Sequence, residues 1–317
     1  MKRIYKELLL AVFLGMVVPG IVLGTAVEYG KRIEIPSVPA VTETKSRTEL
    51  QVEVIMSDGG VKSMNLEDYL VGVVLAEMPA SFETEALKAQ AVVARTYTLK
   101  SAEAGVKHGS GSVCTDYACC QAYTAEEDYT GGADALEKVR SAVYATAGEV
   151  LTYEGNLIEA TYFSCSGGMT EDAVAVWGTD YPYLRAVDSP GEEGAAHYTD
   201  SVYFTAEEFQ SRLGRELKGS PRSWLGFTTY TAGGGVNTIR IGGEDYKGTD
   251  IRTKLGLRST AFTMTADGDG ITVDTKGFGH RVGMSQYGAD AMAVRGNSYA
   301  QILAHYYQGT TLVLFDN

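Results

Sequence analysis

The chain has 317 residues, of which 44% are hydrophobic and 21% are charged, and its formal net charge is -13. This length suits one large domain or two modest ones, and the composition is typical of a globular rather than a disordered protein. An acidic surface repels phosphate backbones, which argues against a nucleic acid partner and leaves a neutral polar polymer as a candidate.

The N-terminus combines three cations within the first six residues with an uncharged apolar run at about 8–27. That run is long enough for one bilayer crossing, and the preceding cations favour a cytoplasmic N-terminus with the rest of the chain outside. A cleaved signal peptide is the alternative. We therefore predict a cytoplasmic tip and transmembrane anchor at 1–27, a linker at 28–48 and an extracytoplasmic domain at 49–317.

The first elements of that domain are predicted as a hairpin followed by a helix. Residues 50–55 alternate between apolar and polar side chains, and the Ser-Asp-Gly-Gly segment at 57–60 is typical of a turn. A helix is expected to begin after Asn65, which is a good N-cap residue. It should end near Glu77, because Pro79 disfavours helical geometry at the residue before it.

Further elements follow from the same kinds of signal, namely helical spacing, alternation and turn residues. They are helices from about Thr84 to Gly105, from 134 to 147, near 204–217 and at 299–307, and strands at 150–153, 157–163, 262–264 and 271–273. Helices and hairpins mix without regular βαβ alternation, which predicts an α+β fold. We expect a two-lobed module with a substrate groove and an inserted lobe at about 191–250.

Glu77 is the candidate catalytic carboxyl. It lies where a helix gives way to a proline turn, between Ala76 and Met78. Burial among apolar neighbours would raise its pKa and keep it protonated, which is what a general acid toward a glycosidic oxygen requires. The alternative is that Glu77 only caps the helix or pairs with Lys88 or Arg95.

The segment around Glu77 reads AEMPASFE, and residues 85–97 read EALKAQAVVARTY. Other blocks follow in order, with YFSCSGG at 162–168, VWG at 176–178, PYL at 182–184 and GHRVGMSQYGA at 279–289. From about residue 50 to the C-terminus the chain resembles the stage II sporulation protein D family of sporulation lytic transglycosylases. Several long blocks in one order are more specific than a single short motif.

The resemblance implies cleavage of the MurNAc-GlcNAc bond of denuded peptidoglycan glycan strands, with Glu77 as the catalytic acid and 1,6-anhydro ends as products. One carboxylate suffices because the sugar's own C6 hydroxyl is the nucleophile. It also implies septal wall remodelling during engulfment, at the mother-cell membrane. The implied partners are the amidase stage II sporulation protein P and other engulfment membrane proteins.

Several further residues are predicted to bind substrate. Arg95 would orient Glu77 or bind the lactyl carboxylate of the sugar, with a structural ion pair as the alternative. The glycine-rich loop containing Ser164, Ser166 and Gly167 would let backbone amides approach a sugar, and the alternative is a tight turn.

Four more polar or aromatic side chains are expected near the cleft. Tyr162, Trp177 and His280 would stack on the glycan or form hydrogen bonds with it, and Gln286 lies in a glycine-bounded segment that would line the groove. The chain has 20 tyrosines, so a structural role is the alternative for any one of them.

A cluster of soft metal ligands is predicted in a Gly/Ser-rich loop. His108, Cys114, Cys119 and Cys120 follow the pattern H-x5-C-x4-C-C, and imidazole with thiolates suits structural zinc. The loop resembles one that binds zinc in clostridial members of the family, where a second histidine stands at the position of Cys119. The alternative is a disulfide between Cys114 and Cys119 or Cys120.

Two other functions remain open for this sequence. Amidase-enhancer proteins contain the same kind of domain and would bind the wall and activate a partner without cutting glycan. A murein hydrolase would consume water and leave reducing ends. The retained Glu-Met-Pro segment at Glu77 favours the transglycosylase.

Overall fold

The computed structural model describes residues 50–104, 108 and 113–315. The predicted anchor and linker, at 1–27 and 28–48, lie outside the described residues. Within the described ranges, the helices are too short or too polar to cross a bilayer.

The described part of the chain contains eight α-helices and fourteen strands. The helices are α1 (Leu66–Glu77), α2 (Thr84–Ala104), α3 (Ala133–Ala145), α4 (Ala173–Trp177), α5 (Ala206–Leu213), α6 (Gly248–Leu255), α7 (Gln286–Val294) and α8 (Tyr299–Tyr306). The strands are β1 (Gln51–Ile55), β2 (Val61–Asn65), β3 (Val113–Cys114), β4 (Glu149–Tyr153), β5 (Asn156–Leu157), β6 (Tyr162–Phe163), β7 (Thr199–Thr205), β8 (Leu225–Tyr230), β9 (Val236–Ile241), β10 (Glu244–Lys247), β11 (Ala261–Ala266), β12 (Gly270–Lys276), β13 (Met284–Ser285) and β14 (Thr311–Leu314).

The strands form small sheets that are mostly antiparallel. The strand orders are β2-β1-β3, β10-β9-β8, β11-β12-β7 and β14-β4-β5, and β13 pairs with β6. Among the described strands, only the pairs β1–β3 and β6–β13 run parallel. Helices combined with antiparallel sheets, without a repeated βαβ unit, confirm the α+β fold class.

Helix α2 lies at the centre of the first hydrophobic core. Its residues Ala86, Ala89, Ala91 and Ala94 are fully buried. Small side chains let neighbouring elements approach closely, and α2 contacts α1, α3, α7, α8 and β4. A high alanine content is typical of a helix that packs closely against its neighbours, as α2 does.

A second hydrophobic core joins the sheets β7–β12–β11 and β8–β9–β10 with α5 and α6. Its buried members include Phe204, Phe209, Leu213, Trp224, Ile239, Ile251, Phe262, Ile271 and Val273. These residues span 204–273, a range that overlaps only part of the inserted lobe expected at about 191–250. That lobe stays a prediction.

The helix predicted near 204–217 is shorter in the structure. Phe204 belongs to β7, and α5 begins after Thr205, whose side chain accepts a 3.2 Å hydrogen bond from the Glu208 amide in a capping box. The helix ends before Gly214, which has a φ of 76° and forms the C-cap.

The continuous strand predicted over 157–163 is wrong. Strand β5 ends at Leu157 and β6 begins only at Tyr162. The two strands pair with different partners, β4 and β13, so the backbone must leave one sheet before it enters the other.

Candidate active site

Glu77 is the last residue of α1, where the sequence predicted the helix to end. Asn65 caps the start of α1 by accepting a 2.9 Å hydrogen bond from the amide of Glu67. Met78, which precedes Pro79, leaves the helical region with φ -126° and ψ 141°. The side chain of Glu77 is half-buried.

Three other chain segments meet the Glu77 carboxyl. The amide of Ala122 donates a 2.9 Å hydrogen bond to Oε1. The side-chain amide of Gln286 lies 3.5 Å from Oε2, and the Tyr162 hydroxyl lies within hydrogen-bonding reach of the carboxyl. Glu77 is therefore oriented from several sides rather than left free in solvent.

The parallel pairing of β6 with β13 places the side chains of Tyr162 and Gln286 close to the same carboxyl. Tyr162 of β6 is opposite Met284 of β13, and β13 leads directly into Gln286 at the start of α7. Sequence analysis predicted both Tyr162 and Gln286 as substrate-binding residues. The structure brings them to Glu77, and their contact with a sugar stays a prediction.

The electrostatics at Glu77 favour the protonated acid. Burial raises the pKa of the carboxyl above its ordinary value of 4.5, and the contacts with the Ala122 amide, the Tyr162 hydroxyl and the Gln286 side chain partly oppose that rise. A carboxyl with a raised pKa carries its proton over a wider pH range. This is the protonation state that a general acid must have before reaction.

His280 lies between two aromatic rings. Its ring centroid is 5.2 Å from that of Trp177 and 5.5 Å from that of Phe163. Its Nδ1 accepts a 3.1 Å hydrogen bond from the amide of Val282. Burial lowers the pKa of His280 to about 4, so the imidazole is neutral near pH 7. Trp177 is 43% exposed, so this cluster presents an aromatic surface to solvent.

Donors of Ser166 and Gly167, two of the three residues predicted to bind substrate in the glycine-rich loop, have partners inside the protein. Ser166 is fully buried, and its amide and hydroxyl donate to Glu192 at 2.6 and 2.9 Å. The Gly167 amide donates to the same carboxylate at 3.2 Å. These donors are already paired within the protein, and the Ser164 carbonyl accepts from the Tyr287 amide at 3.1 Å. These contacts favour the tight turn given as the alternative for Ser166 and Gly167, and substrate binding by Ser164 stays a prediction.

Glu192 is a buried residue that sequence analysis missed. It is 1% exposed and also accepts from the hydroxyl of Ser189, which in turn lies 2.6 Å from the hydroxyl of Tyr306. Its neighbours Gly191 and Glu193 are exposed, and nothing in a short polar segment indicates that one of its two glutamates is a core residue.

Arg281, within the segment GHRVGMSQYGA at 279–289, is also buried and holds three segments together. Its guanidinium donates to the carbonyls of Ser166, Met169 and Gly233, each at 2.7 Å, and pairs with Glu171 at 3.2 Å. It thereby joins the Ser166 turn to the β8–β9 hairpin of the second core.

Arg95 is not at the candidate acid. Its side chain is fully buried, and its Nε donates a 3.0 Å hydrogen bond to the Glu67 carboxylate. Further hydrogen bonds lead to the carbonyls of Glu149 and Val143, at 3.1 and 3.3 Å. A fully buried guanidinium has no face left for a sugar, so the structural ion pair given as the alternative is what the structure shows.

The four predicted metal ligands come together. The ligand atoms of His108, Cys114, Cys119 and Cys120 lie within 4.8 Å of one another, and the His108 Nε2 is 3.4 Å from the Sγ atoms of both Cys119 and Cys120. All four cysteines of the chain are free thiols. One imidazole and three sulfur atoms at these distances fit a tetrahedral metal site.

A turn at Asp116 brings the two adjacent cysteines, Cys119 and Cys120, to the same cluster. The amides of Cys119 and Cys120 both donate to the Asp116 carbonyl, at 3.0 and 2.8 Å. The Asp116 side chain accepts from the Ala118 amide at 2.8 Å. Cys114 reaches the cluster because β3 pairs with β1 through Val54 and Ile55.

Comparison with known proteins bears on this site. The family model described as "Stage II sporulation protein" matches residues 57–153, which include Glu77 and the four ligands. Stage II sporulation protein D of Bacillus subtilis (strain 168) is 44% identical over 260 residues, covering 80% of this chain and 75% of that protein. The chain belongs to the stage II sporulation protein D family. The family's place in sporulation, and with it an envelope setting, therefore applies to this chain.

Two further relatives extend the comparison. Stage II sporulation protein D of Bacillus amyloliquefaciens is 43% identical over 266 residues, 81% of this chain and 76% of that protein. The "Amidase enhancer" of Bacillus subtilis (strain 168) is 32% identical over 299 residues, 78% of this chain and 40% of that protein. The stage II sporulation protein D family is thus related to proteins named for enhancing an amidase.

Proposed function

We propose that this protein is a lytic transglycosylase that cleaves the MurNAc-GlcNAc bond of denuded peptidoglycan strands. The observation that carries the proposal is the setting of the half-buried Glu77 carboxyl. Burial raises the pKa of this carboxyl, and Ala122, Tyr162 and Gln286 surround it. Membership of a sporulation family supports a role in septal wall remodelling during engulfment.

The chemistry needs one acid. Glu77 donates its proton to the glycosidic oxygen as the bond to the muramic C1 breaks, and the leaving sugar departs with a free hydroxyl. The ionised Glu77 then accepts the proton of the C6 hydroxyl as that oxygen bonds to C1. The ring closes to a 1,6-anhydro sugar, water is not consumed and Glu77 is protonated again. The tethered nucleophile removes the need for a second carboxylate.

We propose that His108, Cys114, Cys119 and Cys120 hold a structural zinc ion. Zinc with four protein ligands cross-links a loop and has no open position for substrate. The loop leads from Cys120 to Ala122, whose amide contacts Glu77. The ligand set therefore supports a role in fixing the loop beside the acid.

The setting we propose is the mother-cell membrane at the septum, with residues 8–27 as a single-pass anchor and the enzyme domain outside. The proposed partners are the glycan strands, the amidase stage II sporulation protein P, which removes stem peptides, and other engulfment membrane proteins. The apolar N-terminal run and the family support this arrangement.

A non-catalytic wall-binding amidase enhancer is the second candidate function, because a protein of that name is 32% identical to this chain. The test is to digest denuded glycan strands with the full chain and analyse the products by mass spectrometry. The proposal expects 1,6-anhydro ends, and Glu77→Gln should bind glycan but lower the rate by roughly 10²–10⁴-fold.

Other outcomes of that digestion contradict the proposal. Reducing ends would identify a hydrolase. An absence of cleavage combined with stimulation of an added amidase would identify an enhancer. Glu193→Gln, at an exposed position, is the matched control and should retain full activity.

A further inference from the structure

Arg281 has an unusual backbone conformation for a buried residue. Its φ is 66°, in the left-handed region that favours glycine, and the residue is 2% exposed. Glycines occupy the other positive-φ positions of this segment, Gly279 at 121° and Gly283 at 83°, and a glycine at 281 would adopt the same backbone without steric cost. A strained residue persists only where its surroundings hold it, so the contacts of the arginine side chain carry the explanation.

Arg281 is tied down through both its side chain and its backbone. The guanidinium donates to the carbonyls of Ser166, Met169 and Gly233, each at 2.7 Å. It also pairs with the Glu171 carboxylate at 3.2 Å, while the Arg281 carbonyl accepts a 2.6 Å hydrogen bond from the Glu171 amide. These bonds fix the direction in which the chain leaves residue 281.

The second core supplies part of this support. The Glu171 carboxylate also accepts from the Thr231 hydroxyl at 2.7 Å and from the Gly235 amide at 2.8 Å. Gly233, whose carbonyl accepts from Arg281, lies in the same turn between β8 and β9. A Cβ at Gly235 would lie 2.3 Å from the Glu171 carboxylate, so this turn packs at a distance that only glycine allows. The conformation at Arg281 therefore depends on the docking of the β8–β9 turn.

The chain after Arg281 leads directly to the candidate acid. Met284 pairs with Tyr162 where β13 meets β6. Gln286 follows at the start of α7, and its side-chain amide lies 3.5 Å from Oε2 of Glu77. Because Gln286 is only five residues after Arg281, a change of φ at residue 281 would redirect the segment that carries it.

We propose that Arg281 is a positioning residue: its guanidinium holds the left-handed backbone that directs Gln286 to the Glu77 carboxyl. It acts through the path of residues 282–286, since its guanidinium is already paired with acceptors of the protein. Through Gly233 the second core takes part in orienting the acid. The alternative is that Arg281 only joins the two cores. The catalytic meaning of this arrangement rests on the proposed function, whereas the positioning of Gln286 does not.

The test compares Arg281→Met with Arg281→Gly in the full chain, both combined with Glu171→Gln so that no buried carboxylate is left unpaired. Both variants lack the guanidinium, but only glycine adopts the left-handed conformation without strain. The readout is the side-chain ¹H–¹⁵N signal of Gln286, identified as the one that is absent in Gln286→Met. In the wild type this signal should shift with pH as Glu77 titrates, and the shift should be absent in Glu77→Gln.

The folded Arg281→Met variant should lose this pH-dependent shift, because its backbone relaxes out of the left-handed region and moves Gln286 away from Glu77. The folded Arg281→Gly variant should keep it. A wild-type shift in folded Arg281→Met would overturn the proposal, and so would loss of the shift in both variants. If Arg281→Met does not fold, Arg281→Lys with Glu171 intact replaces it. Lysine keeps the charge but lacks the fork that reaches three carbonyls, so it should lose the shift as well.

Glu154→Gly is the matched control. Glu154 is the other non-glycine residue with a positive φ among the described residues, at 51°, and it is exposed in the turn between β4 and β5. Relief of strain there should leave the Gln286 signal unchanged. Asp290 lies one turn further along α7, and burial raises the pKa of its carboxyl above 3.8. The Glu77→Gln spectrum separates the effect of Asp290 from that of Glu77.

This measurement requires no substrate, so it separates the inference from the proposed function. If the wild type forms anhydro products, folded Arg281→Met should form them up to about 10²-fold more slowly than Arg281→Gly, because a small displacement at the acid can lower the rate by that order. If the wild type forms none, the proposed function fails, while the Gln286 signal still decides the role of Arg281.

Discussion

The backbone amide of Ala122 donates a 2.9 Å hydrogen bond to the Glu77 carboxyl. Ala122 follows Cys120 by two residues, so the loop that carries the cysteine ligands also carries a group that orients the candidate acid. A change in the His/Cys cluster should therefore alter the orientation of the Glu77 carboxyl. This effect would pass through the loop, since none of the four cluster residues touches the carboxyl in the described structure.

Loss of a cluster ligand tests the predicted zinc site. Cys114→Ser should abolish stoichiometric zinc binding and lower the unfolding temperature, because a metal present at 100 times its Kd stabilises the folded state by about 2.7 kcal/mol. Elemental analysis and thermal unfolding provide the measurements. Cys165→Ser is the control, since Cys165 contacts Glu192 instead, and its zinc content should equal that of the wild type. If the purified wild-type protein contains no zinc and only two of its four cysteines are free thiols, the alternative disulfide between Cys114 and Cys119 or Cys120 is indicated.

Arg95 should act on stability rather than on substrate binding. Arg95→Met leaves the Glu67 carboxylate without its buried partner, which should cost about 3–5 kcal/mol of unfolding free energy. The control is Arg240→Met, which breaks the exposed pair with Asp245 and should change the unfolding free energy far less than Arg95→Met, because water screens an exposed pair. Urea denaturation measures both. A stable Arg95→Met protein with a raised KM for glycan would contradict this assignment.

Glu192 should be needed for folding of the Ser166 turn. Glu192→Ala leaves the buried donors of Ser166 and Gly167 unpaired, and the expected loss is roughly 3 kcal/mol. Glu193→Ala, one residue away and exposed, should change stability by about 0.5 kcal/mol or less. Chemical denaturation of the two variants gives the comparison, and equal effects would refute the role given to Glu192.

Glu77 should make stability depend on pH. Burial raises the pKa of its carboxyl above the ordinary 4.5, so the folded state keeps a proton that the unfolded state has already lost. The contribution of Glu77 to the unfolding free energy therefore falls as the pH rises from 4.5 through the folded pKa. Gln does not titrate. The unfolding free energy of Glu77→Gln minus that of the wild type should therefore be larger at neutral pH than at pH below 4.5. Denaturation curves at both pH values measure this difference, and a constant difference would show that Glu77 is not perturbed.

Local signals in the sequence predicted the elements that depend on local backbone preferences. The end of α1 at Glu77 follows from Pro79, and the burial of α2 follows from its alanines. The four predicted metal ligands lie within thirteen residues of one another, so their spacing alone indicated a shared site. The start of α5 was placed too early, because the β-strand pairing of Phe204 with Ile271 is a long-range contact.

The sequence by itself determined which carboxyl was the candidate acid, where its helix ends and which side chains form the ligand cluster. Only the tertiary structure decided what surrounds that acid, because Ala122 and Gln286 lie 45 and 209 residues away along the chain. It also decided that the buried side chains of Arg95 and Ser166 pair with the carboxylates of Glu67 and Glu192. The partner of a buried polar group is set by which distant segments pack together, and a residue's near neighbours in sequence do not contain that information.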